Sequence, residues 1–290
     1  MKKLLIPILS IMMLINSIPS YGWGAKGHDI VAAIAEQKAG IIKPGAPCVL
    51  YADNESDVVE VIRQRCAETG SALVIPDTDA LKLGEARPGC LHFSYRNCAY
   101  TLRLSGIYQV RNALTAIEAL HLLPSLGYTM TEDAIERGLA AAQFPARFEV
   151  LSQNPPILLD GAHNRSGMDA LAENIDFYYP DQPILYLCGM LRDKNPEDAL
   201  APILRADTTR FCACITPPSP RSMKAEDLCE IFRTRGIASA PYASIDAALD
   251  ALKELRGDAE SDLLPILCFG SLYSAGDIRR ACGIYNETAE

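Results

Sequence analysis

The sequence predicts an α/β protein, and three observations lead to that prediction. An apolar run at residues 157–159 stops abruptly at Asp160-Gly161, and a polar turn then leads into an amphipathic stretch. From residue 183 onward, short apolar runs alternate with amphipathic segments. Capping and breaking residues, such as Gly70 and Thr131, separate the segments. This alternation is typical of a doubly wound parallel sheet covered by helices.

Length, charge and cysteine usage limit the class further. The 290 residues allow two modest domains, and 49% hydrophobic with 22% charged residues is ordinary for a globular α/β protein. A net charge of −9 without a basic stripe argues against nucleic acid or a membrane surface as the partner. The ten cysteines are scattered, and no C-x-x-C pair occurs. We therefore expect reduced thiols and a cytoplasmic location.

The elements before residue 145 follow from local signals. Residues 47–51 and 72–75 are predicted strands, and Ser56 is predicted to cap the helix between them, which Gly70 ends. Alternation around Arg96-Asn97 predicts a hairpin over residues 91–104. Two helices are predicted to follow, one reaching about residue 126 and one at 131–142 with Thr131 as its cap. Phe144-Pro145 is the predicted linker.

The elements after the linker alternate regularly. Apolar runs predict strands at 183–190, 211–216 and 264–269. Amphipathic stretches predict helices at 196–204, with Asn195 as cap, at 224–235 and at 244–255. The final helix is predicted to begin at residues 270–273. These elements are enough to close a separate sheet.

Polar side chains follow the apolar run at residues 157–159. Asp160, His163 and Asn164 would converge at the carboxyl end of a parallel strand and face the crevice in which α/β sheets bind their ligands. A carboxylate, an imidazole and an amide in one place can do acid–base and binding chemistry. The alternative is that Asp160 and Asn164 only cap the turn and that His163 has no role.

Four segments in order carry a resemblance to a known family. They are Phe144-Pro-Ala-Arg-Phe-Glu149, Asp160-Gly-Ala-His-Asn164, the stretch 188–194 and Cys268-Phe-Gly-Ser-Leu-Tyr-Ser-Ala-Gly-Asp-Ile-Arg279. This set resembles the folylpolyglutamate and dihydrofolate synthases, which are relatives of the Mur ligases. The resemblance implies a truncated central ATPase domain, residues 38–144, before a Rossmann-like C-terminal ligase domain, residues 145–290.

The resemblance also implies a reaction. Members of that family are ATP-dependent amide ligases that use Mg2+. They activate a folate or dihydropteroate carboxylate as an acyl phosphate, which the amine of L-glutamate then attacks. We expect ATP, Mg2+, L-glutamate and a folate or dihydropteroate as the partners, and a monomer.

Site residues carry over position by position. The resemblance places Gln109 and Asn112 at the adenine, Asp160 at the ribose, and His163 and Arg147 near the phosphates and the incoming glutamate, so that Asp160, His163 and Arg147 are the catalytic candidates. Lys194 and Ser271 would bind substrate. Two alternatives stay open: Gln109 and Asn112 as polar caps of a helix start, and Lys194 in a helix-capping salt bridge.

The chain also departs from the family pattern. Ala146, Tyr108 and Arg165 stand where the family usually has Gly, His and Pro. Lys38 matches the lysine that the family carbamylates as a magnesium-side ligand, although a plain surface lysine is the alternative. No G-x-x-x-x-G-K-[ST] phosphate loop occurs in the sequence. We therefore expect the chain alone to be inactive, or to be a non-catalytic remnant.

The N-terminus belongs to a different pattern. Residues 1–22 have the form of a signal peptide. Residues 23–37 begin Trp-Gly-Ala-Lys-Gly-His28, which resembles the start of secreted zinc-dependent nucleases. The chain thus looks chimeric, joined near residues 35–38, and a fusion product or, more remotely, a secreted zinc nuclease are the alternative interpretations.

The join is itself testable. We predict that unassembled long genomic reads across the codons for residues 35–38 show a fusion or assembly accident, because a signal peptide would export a ligase away from ATP and folates. One uninterrupted gene, with its product recovered outside the cytoplasm, would contradict this prediction.

Overall fold

The computed structural model describes residues 35–256 and 264–285. The predicted signal-like segment and most of the nuclease-like stretch, up to residue 34, lie outside these ranges. The described chain divides into two compact units. The first comprises residues 35–86, Leu91–Arg103 and Ile107–Ala142, and the second comprises Arg87–Cys90, Leu104–Gly106 and the chain from Gln143. The predicted α/β class is confirmed, whereas the domain extents 38–144 and 145–290 stay a prediction.

The described part of the first unit combines two small sheets with the helices α1, α2 and α3, besides the helical residues 35–39. Strands β1 and β2, which precede and follow α1 in the sequence, pair in parallel. Strands β3, β4 and β5 form a second sheet in that order. The bounds are β1 Cys48–Val49, α1 Ser56–Thr69, β2 Leu73–Val74, β3 Leu81–Arg87, β4 Cys90–Tyr95, β5 Cys98–Leu102, α2 Ile107–Leu122 and α3 Glu132–Ala141.

Local chemistry explains most of these boundaries. Gly70 ends α1 in the left-handed conformation, with φ of 65°. Arg96 and Asn97 both have positive φ, which is the geometry of a tight hairpin turn between β4 and β5. The Thr131 hydroxyl accepts a hydrogen bond from the Ala134 N–H, so it caps α3 as predicted. The predicted Ser56 cap is wrong, because Glu55 holds the cap position and no side chain caps α1.

The second unit is built on a six-stranded sheet. Its strand order is β10-β9-β8-β11-β7-β6, parallel throughout except that β6 runs antiparallel to β7. The bounds are β6 Glu149–Gln153, β7 Pro156–Leu159, α4 Arg165–Tyr178, β8 Ile184–Cys188, α5 Pro196–Leu200, β9 Thr209–Cys214, α6 Ala225–Thr234, β10 Ser239–Pro241, α7 Ile245–Leu255, β11 Ile266–Phe269 and α8 Leu272–Ala281.

Helices cover both faces of this sheet. Along β8, Tyr186 and Cys188 belong to one apolar cluster, which also contains residues of α4, α5 and α6. The intervening Leu185 and Leu187 belong to the opposite cluster, with residues of α7 and α8. Alternate side chains of one strand therefore pack on opposite faces, as a strand buried on both sides requires.

Three features of the second unit differ from the predictions. Strands β6 and β10 were not predicted. The helix predicted over 196–204 is divided into α5 and a 3-10 turn, Ala201–Ile203. Asn195 precedes α5 in a left-handed conformation, with φ of 47°, and its side chain makes no capping hydrogen bond. The predicted Asn195 cap is therefore wrong.

All ten cysteines are free thiols. The Sγ atoms of Cys212 and Cys214 lie 3.8 Å apart on one face of β9, as their spacing predicts. Burial raises the pKa of the Cys212 thiol to about 11, so it stays protonated and behaves as a small apolar side chain. Within the described ranges, no helix has the length and apolar character needed to cross a bilayer.

Candidate active site

The chain reverses its direction of winding between β7 and β11. These strands are neighbours, yet α4 follows β7 onto one face of the sheet and α8 follows β11 onto the other. Helices that leave adjacent strands on opposite faces open a crevice at the carboxyl ends of the strands. Within the second unit this is the place where a ligand is expected.

Two glycines bring the loops after β7 and β11 together. A Cβ on Gly161 would lie 2.4 Å from a methyl carbon of Leu272. Gly270 has φ of 106°, and a Cβ there would lie 2.5 Å from the Gly189 carbonyl oxygen. The Gly270 N–H donates to the Ala162 carbonyl at 2.9 Å. Gly270 therefore requires glycine, because its backbone is left-handed and a Cβ would meet backbone, whereas at Gly161 the Leu272 side chain would have to move.

Asp160, the first residue after β7, is only 6% exposed. Its Oδ2 accepts a hydrogen bond from the Phe148 N–H at 2.8 Å, and its Oδ1 accepts one from the Ala162 N–H at 2.7 Å. The expectation that this side chain lies open to the crevice is wrong. Both of its oxygens hold backbone, so the carboxylate connects the turn before β6 to the loop after β7.

The environment of Asp160 changes its acidity. Burial raises the pKa of this carboxyl to about 6, because the charged form loses hydration. The two backbone N–H donors, with the nearby Arg147 and His163, oppose that rise. The carboxylate is therefore ionised at neutral pH but becomes protonated in mild acid.

His163 is half-buried and has one ring nitrogen engaged. Its Nδ1 lies 2.8 Å from the Gly161 carbonyl oxygen, which can only accept, so Nδ1 carries the proton. In the neutral ring this leaves the lone pair on Nε2, which can accept a proton from a substrate. Asn164 caps α4 through its side chain, so for this residue the capping alternative is confirmed.

Arg147 lies between two residues with left-handed backbone. Ala146 has φ of 56° and Phe148 has φ of 46°, and both side chains are buried, whereas Arg147 is exposed. The Arg147 guanidinium lies 5.5 Å from the centre of the Phe144 ring. Gly161 donates to the Ala146 carbonyl at 2.8 Å, which joins this turn to the loop after β7.

Lys194 and Ser271 follow β8 and β11, respectively. Lys194 is half-buried, and among the described residues its ammonium has no ion pair, so the alternative of a helix-capping salt bridge is not borne out there. The neighbouring Asp193 pairs with Arg221. Ser271 is buried, and its hydroxyl accepts from the Tyr273 N–H at 3.2 Å as the cap of α8. The two side chains therefore come from loops at the same edge of the sheet.

Sequence reasoning missed Arg221, which lies in the loop after β9. Its guanidinium donates to Asp193 at 2.7 Å and to the Tyr273 hydroxyl at 3.1 Å. Arg221 thereby links the loops that carry Lys194 and Ser271. Its position just beyond a predicted parallel strand was the signal that could have identified it.

Gln109 and Asn112 lie in the first turns of α2, in the first unit. Gln109 is buried and Asn112 is exposed, and Asn112 Nδ2 donates to Gln109 Oε1 at 3.0 Å. This bond orients the Asn112 amide and uses one of its two N–H donors, so a second donor and the acceptor oxygen remain. A fixed amide of this kind can pair with the two edges of adenine.

Lys38 is exposed at the end of a helical turn over residues 35–39. In the described ranges, no group of three His, Cys, Asp or Glu side chains could hold a metal ion. The carbamate at Lys38 stays a prediction.

A shallow groove of about 320 Å³ lies on the β3-β4-β5 sheet of the first unit. Its lining includes Lys82, His92, Tyr100 and Glu136. None of the predicted site residues lines it, so the groove is separate from the residues to which the sequence patterns pointed.

The second unit matches a known class of domain. Residues 146–272 match the family described as Mur ligase, glutamate ligase domain. The matched range contains the crevice between β7 and β11 and every predicted site residue of the second unit.

Curated relatives name the particular enzymes to which the chain is similar. It is 31% identical over 261 residues to the folylpolyglutamate synthase of Lacticaseibacillus casei, covering 88% of this chain and 58% of that protein. It is 28% identical over 268 residues to the dihydrofolate synthetase of Saccharomyces cerevisiae, covering 87% and 61%. The chain thus spans about six-tenths of the length of these relatives.

Solved structures show the same fold. The folylpolyglutamate synthase of Thermotoga maritima superposes with a TM-score of 0.71 at 24% identity, covering 89% of this chain and 59% of that one. FolC of Escherichia coli, solved with DHPP and ADP, gives 0.65 at 25% identity and covers 87% and 56%. The bifunctional synthase of Yersinia pestis, solved with AMPPNP and a Mn ion, gives 0.64 at 24% and covers 87% and 57%.

Replacing Ala146 by glycine should test the left-handed turn. An L-residue with positive φ costs about 1–2 kcal/mol, and the lost methyl costs about 0.8 kcal/mol. We expect Ala146→Gly to leave the free energy of unfolding unchanged or to raise it by up to about 1 kcal/mol. Urea unfolding measures this change.

The matched control for that experiment is Ala142, whose φ is −62°. There the same substitution should lower the free energy of unfolding by about 0.5–1 kcal/mol, because glycine only adds freedom to the unfolded chain. An Ala146→Gly variant that is destabilised as much as Ala142→Gly would contradict the strained turn.

The raised pKa of Asp160 predicts a pH-dependent stability. Between the ordinary aspartate pKa and about 6, the folded protein holds a proton that the unfolded chain releases, so stability falls as pH rises through this window. The contribution is about 3 kcal/mol and is lost above the folded pKa. Urea unfolding from about pH 4 to about pH 7 should show it in the native chain.

Asp160→Asn provides the reference, because it removes the titrating group and keeps the shape. The free energy of unfolding of the native chain, relative to that of Asp160→Asn, should fall as pH rises across that window. The carboxyl carbon NMR signal of Asp160 should titrate near 6, and a midpoint close to 4 would contradict the prediction.

Proposed function

We propose that this chain provides the glutamate-accepting part of an ATP-dependent amide ligase that acts on a folate or dihydropteroate. The observation that carries the proposal is the glutamate ligase domain at residues 146–272, in which His163, Lys194 and Ser271 lie on loops at the carboxyl ends of three neighbouring strands. The similarity to folylpolyglutamate and dihydrofolate synthases supports the choice of substrates.

The chemistry explains why such a site needs a base and cations. A carboxylate is a poor acyl donor, so phosphoryl transfer from ATP first converts it to an acyl phosphate. The amine of L-glutamate then attacks the acyl carbon. The new C–N bond replaces the C–O bond to phosphate, and the attacking nitrogen loses a proton.

His163 is suited to receive that proton. The Gly161 carbonyl fixes the Nδ1–H, so the imidazole presents Nε2 as an acceptor. Lys194, with its ammonium unpaired among the described residues, supplies a positive charge for a carboxylate of glutamate. Ser271 begins α8, and the N-terminal end of a helix favours a bound anion.

Arg147 and Asp160 have different roles in this proposal. The exposed Arg147 guanidinium would stabilise negative charge on the transferring phosphoryl group. Asp160 does not need to contact the nucleotide, because its two hydrogen bonds already set the backbone on each side of Arg147 and His163. It acts as a positioning residue.

Asn112, oriented by Gln109, would hold the adenine in the first unit. The E. coli and Y. pestis structures contain ADP and AMPPNP, respectively, which supports a nucleotide as ligand. The monomeric state, the cytoplasmic location and Mg2+ as the metal stay predictions.

The function can be tested by adding a segment with a phosphate loop, a motif that the sequence does not contain. We expect the purified chain to show no glutamate-dependent phosphate release with ATP, Mg2+, L-glutamate and a reduced folate, because losing even one preorganised donor typically costs about a hundred- to a thousandfold in rate. Fusing it to an N-terminal ATPase segment with a phosphate loop, taken from a full-length relative, should create that activity.

His163→Ala in the fusion should reduce the activity at least about a hundredfold with an unchanged melting temperature. His121→Ala, the same substitution at a helix end of the first unit, serves as the control and should leave the activity intact. A folded fusion that never turns over glutamate would contradict the proposal. Turnover by the chain alone would contradict its expected inactivity.

A further inference from the structure

The turn that presents Arg147 has an unusual backbone. The residues on both sides of Arg147 have left-handed conformations although neither is glycine, and both of their side chains are buried. Such a conformation persists only where surrounding contacts over-determine it. The turn must therefore be held by groups outside itself.

Three hydrogen bonds hold its backbone. Gly161 donates to the Ala146 carbonyl at 2.8 Å, and the Phe148 N–H donates to Asp160 at 2.8 Å. These two bonds come from the loop after β7. The third runs from the Ala146 N–H to Glu149 Oε2 at 2.9 Å. Glu149, the first residue of β6, thus holds Ala146 through its side chain.

Glu149 is in turn held by Arg279, which lies near the C-terminal end of α8. Arg279 Nη1 donates to Glu149 Oε1. The side chains of the pair are only 14% and 20% exposed, for Arg279 and Glu149 respectively, so solvent screens them little. The adjacent Arg280 pairs with Asp277 in the open, with side chains 62% and 38% exposed. The Arg279 pair is therefore more buried and joins α8 to β6, whereas the Arg280 pair is exposed and lies within α8.

We propose that Glu149 and Arg279 are positioning residues for Arg147: the partly buried ion pair fixes the Ala146 N–H, and through it the turn that aims the Arg147 guanidinium. The proposal rests on the proposed function, in which that guanidinium meets nucleotide phosphates. It adds two residues to which no role was assigned. They act through the backbone, without touching a ligand.

The first arm of the test needs no ligand. Amide hydrogen exchange by NMR is followed at Ala146 and Phe148 in the native chain and in Glu149→Leu, Arg279→Gln and Arg280→Gln. We expect exchange at Ala146 to become at least about tenfold faster in the first two variants and to stay unchanged in Arg280→Gln. Arg279→Lys, which keeps the charge, should recover most of the protection.

The second arm uses ADP as the probe and adenosine as its phosphate-free control. Glu149→Leu and Arg279→Gln should weaken ADP binding by the same factor as Arg147→Ala and leave adenosine binding unchanged. A variant that only destabilised the fold would weaken the binding of ADP and of adenosine alike.

The outcomes separate the two claims. Native-like exchange at Ala146 in Glu149→Leu, whose side chain cannot accept a hydrogen bond, overturns the positioning role, whatever ADP does. This variant decides alone if Arg279→Gln does not fold. Faster exchange together with ADP binding that is insensitive to Arg147→Ala, or absent from the native chain, overturns the nucleotide role of Arg147 and leaves the positioning role standing.

Discussion

The hydrogen bonds that the Asp160 carboxylate accepts from the Phe148 and Ala162 N–H groups connect every catalytic candidate of the second unit. One bond fixes the backbone next to Arg147, and the other fixes the backbone next to His163. In a buried environment such charge-assisted bonds are strong, and leaving them unmade is correspondingly costly. A residue that the motif suggests as a ligand contact is therefore the structural centre of the site.

The position of the site follows from how the sheet is wound. Because α4 and α8 leave adjacent strands on opposite faces, the loops after β7 and β11 separate at the sheet edge and leave room between them. Gly161 and Gly270 allow the remaining backbone to approach closely. Side chains from the loops after β8 and β9 then reach the same edge, where Arg221 joins them to the start of α8.

The sequence was informative where one local signal determines the structure. Thr131, Gly70 and the Arg96-Asn97 turn act through their own neighbours, and the buried strands of the second unit appear as apolar runs. It was less informative where pairing partners are distant or exposed. Strand β3 is exposed along most of its length, and β6 is a half-buried edge, so neither shows a clear alternation.

The residues of the candidate site also fall into two groups, those that a local pattern locates and those that depend on distant contacts. His163, Arg147, Lys194 and Ser271 lie next to strand ends that periodicity can locate. The burial of Asp160 could not be predicted, because its partner at Phe148 lies twelve residues earlier and meets it only through tertiary structure. Arg279 and Glu149 are 130 residues apart, so no local pattern connects them. Asn195 looked like a helix cap by type, but its left-handed backbone directs the side chain elsewhere.

Alanine at position 146 has a consequence for how substitutions combine. Glycine needs no help to adopt the positive φ of this position, whereas alanine keeps it only while the surrounding bonds hold the turn. The cost of losing an acceptor at Glu149 should therefore depend on which residue stands at position 146, so the stability effects of the two substitutions should not add. One methyl group thus couples β6 and α8 to the turn in front of them.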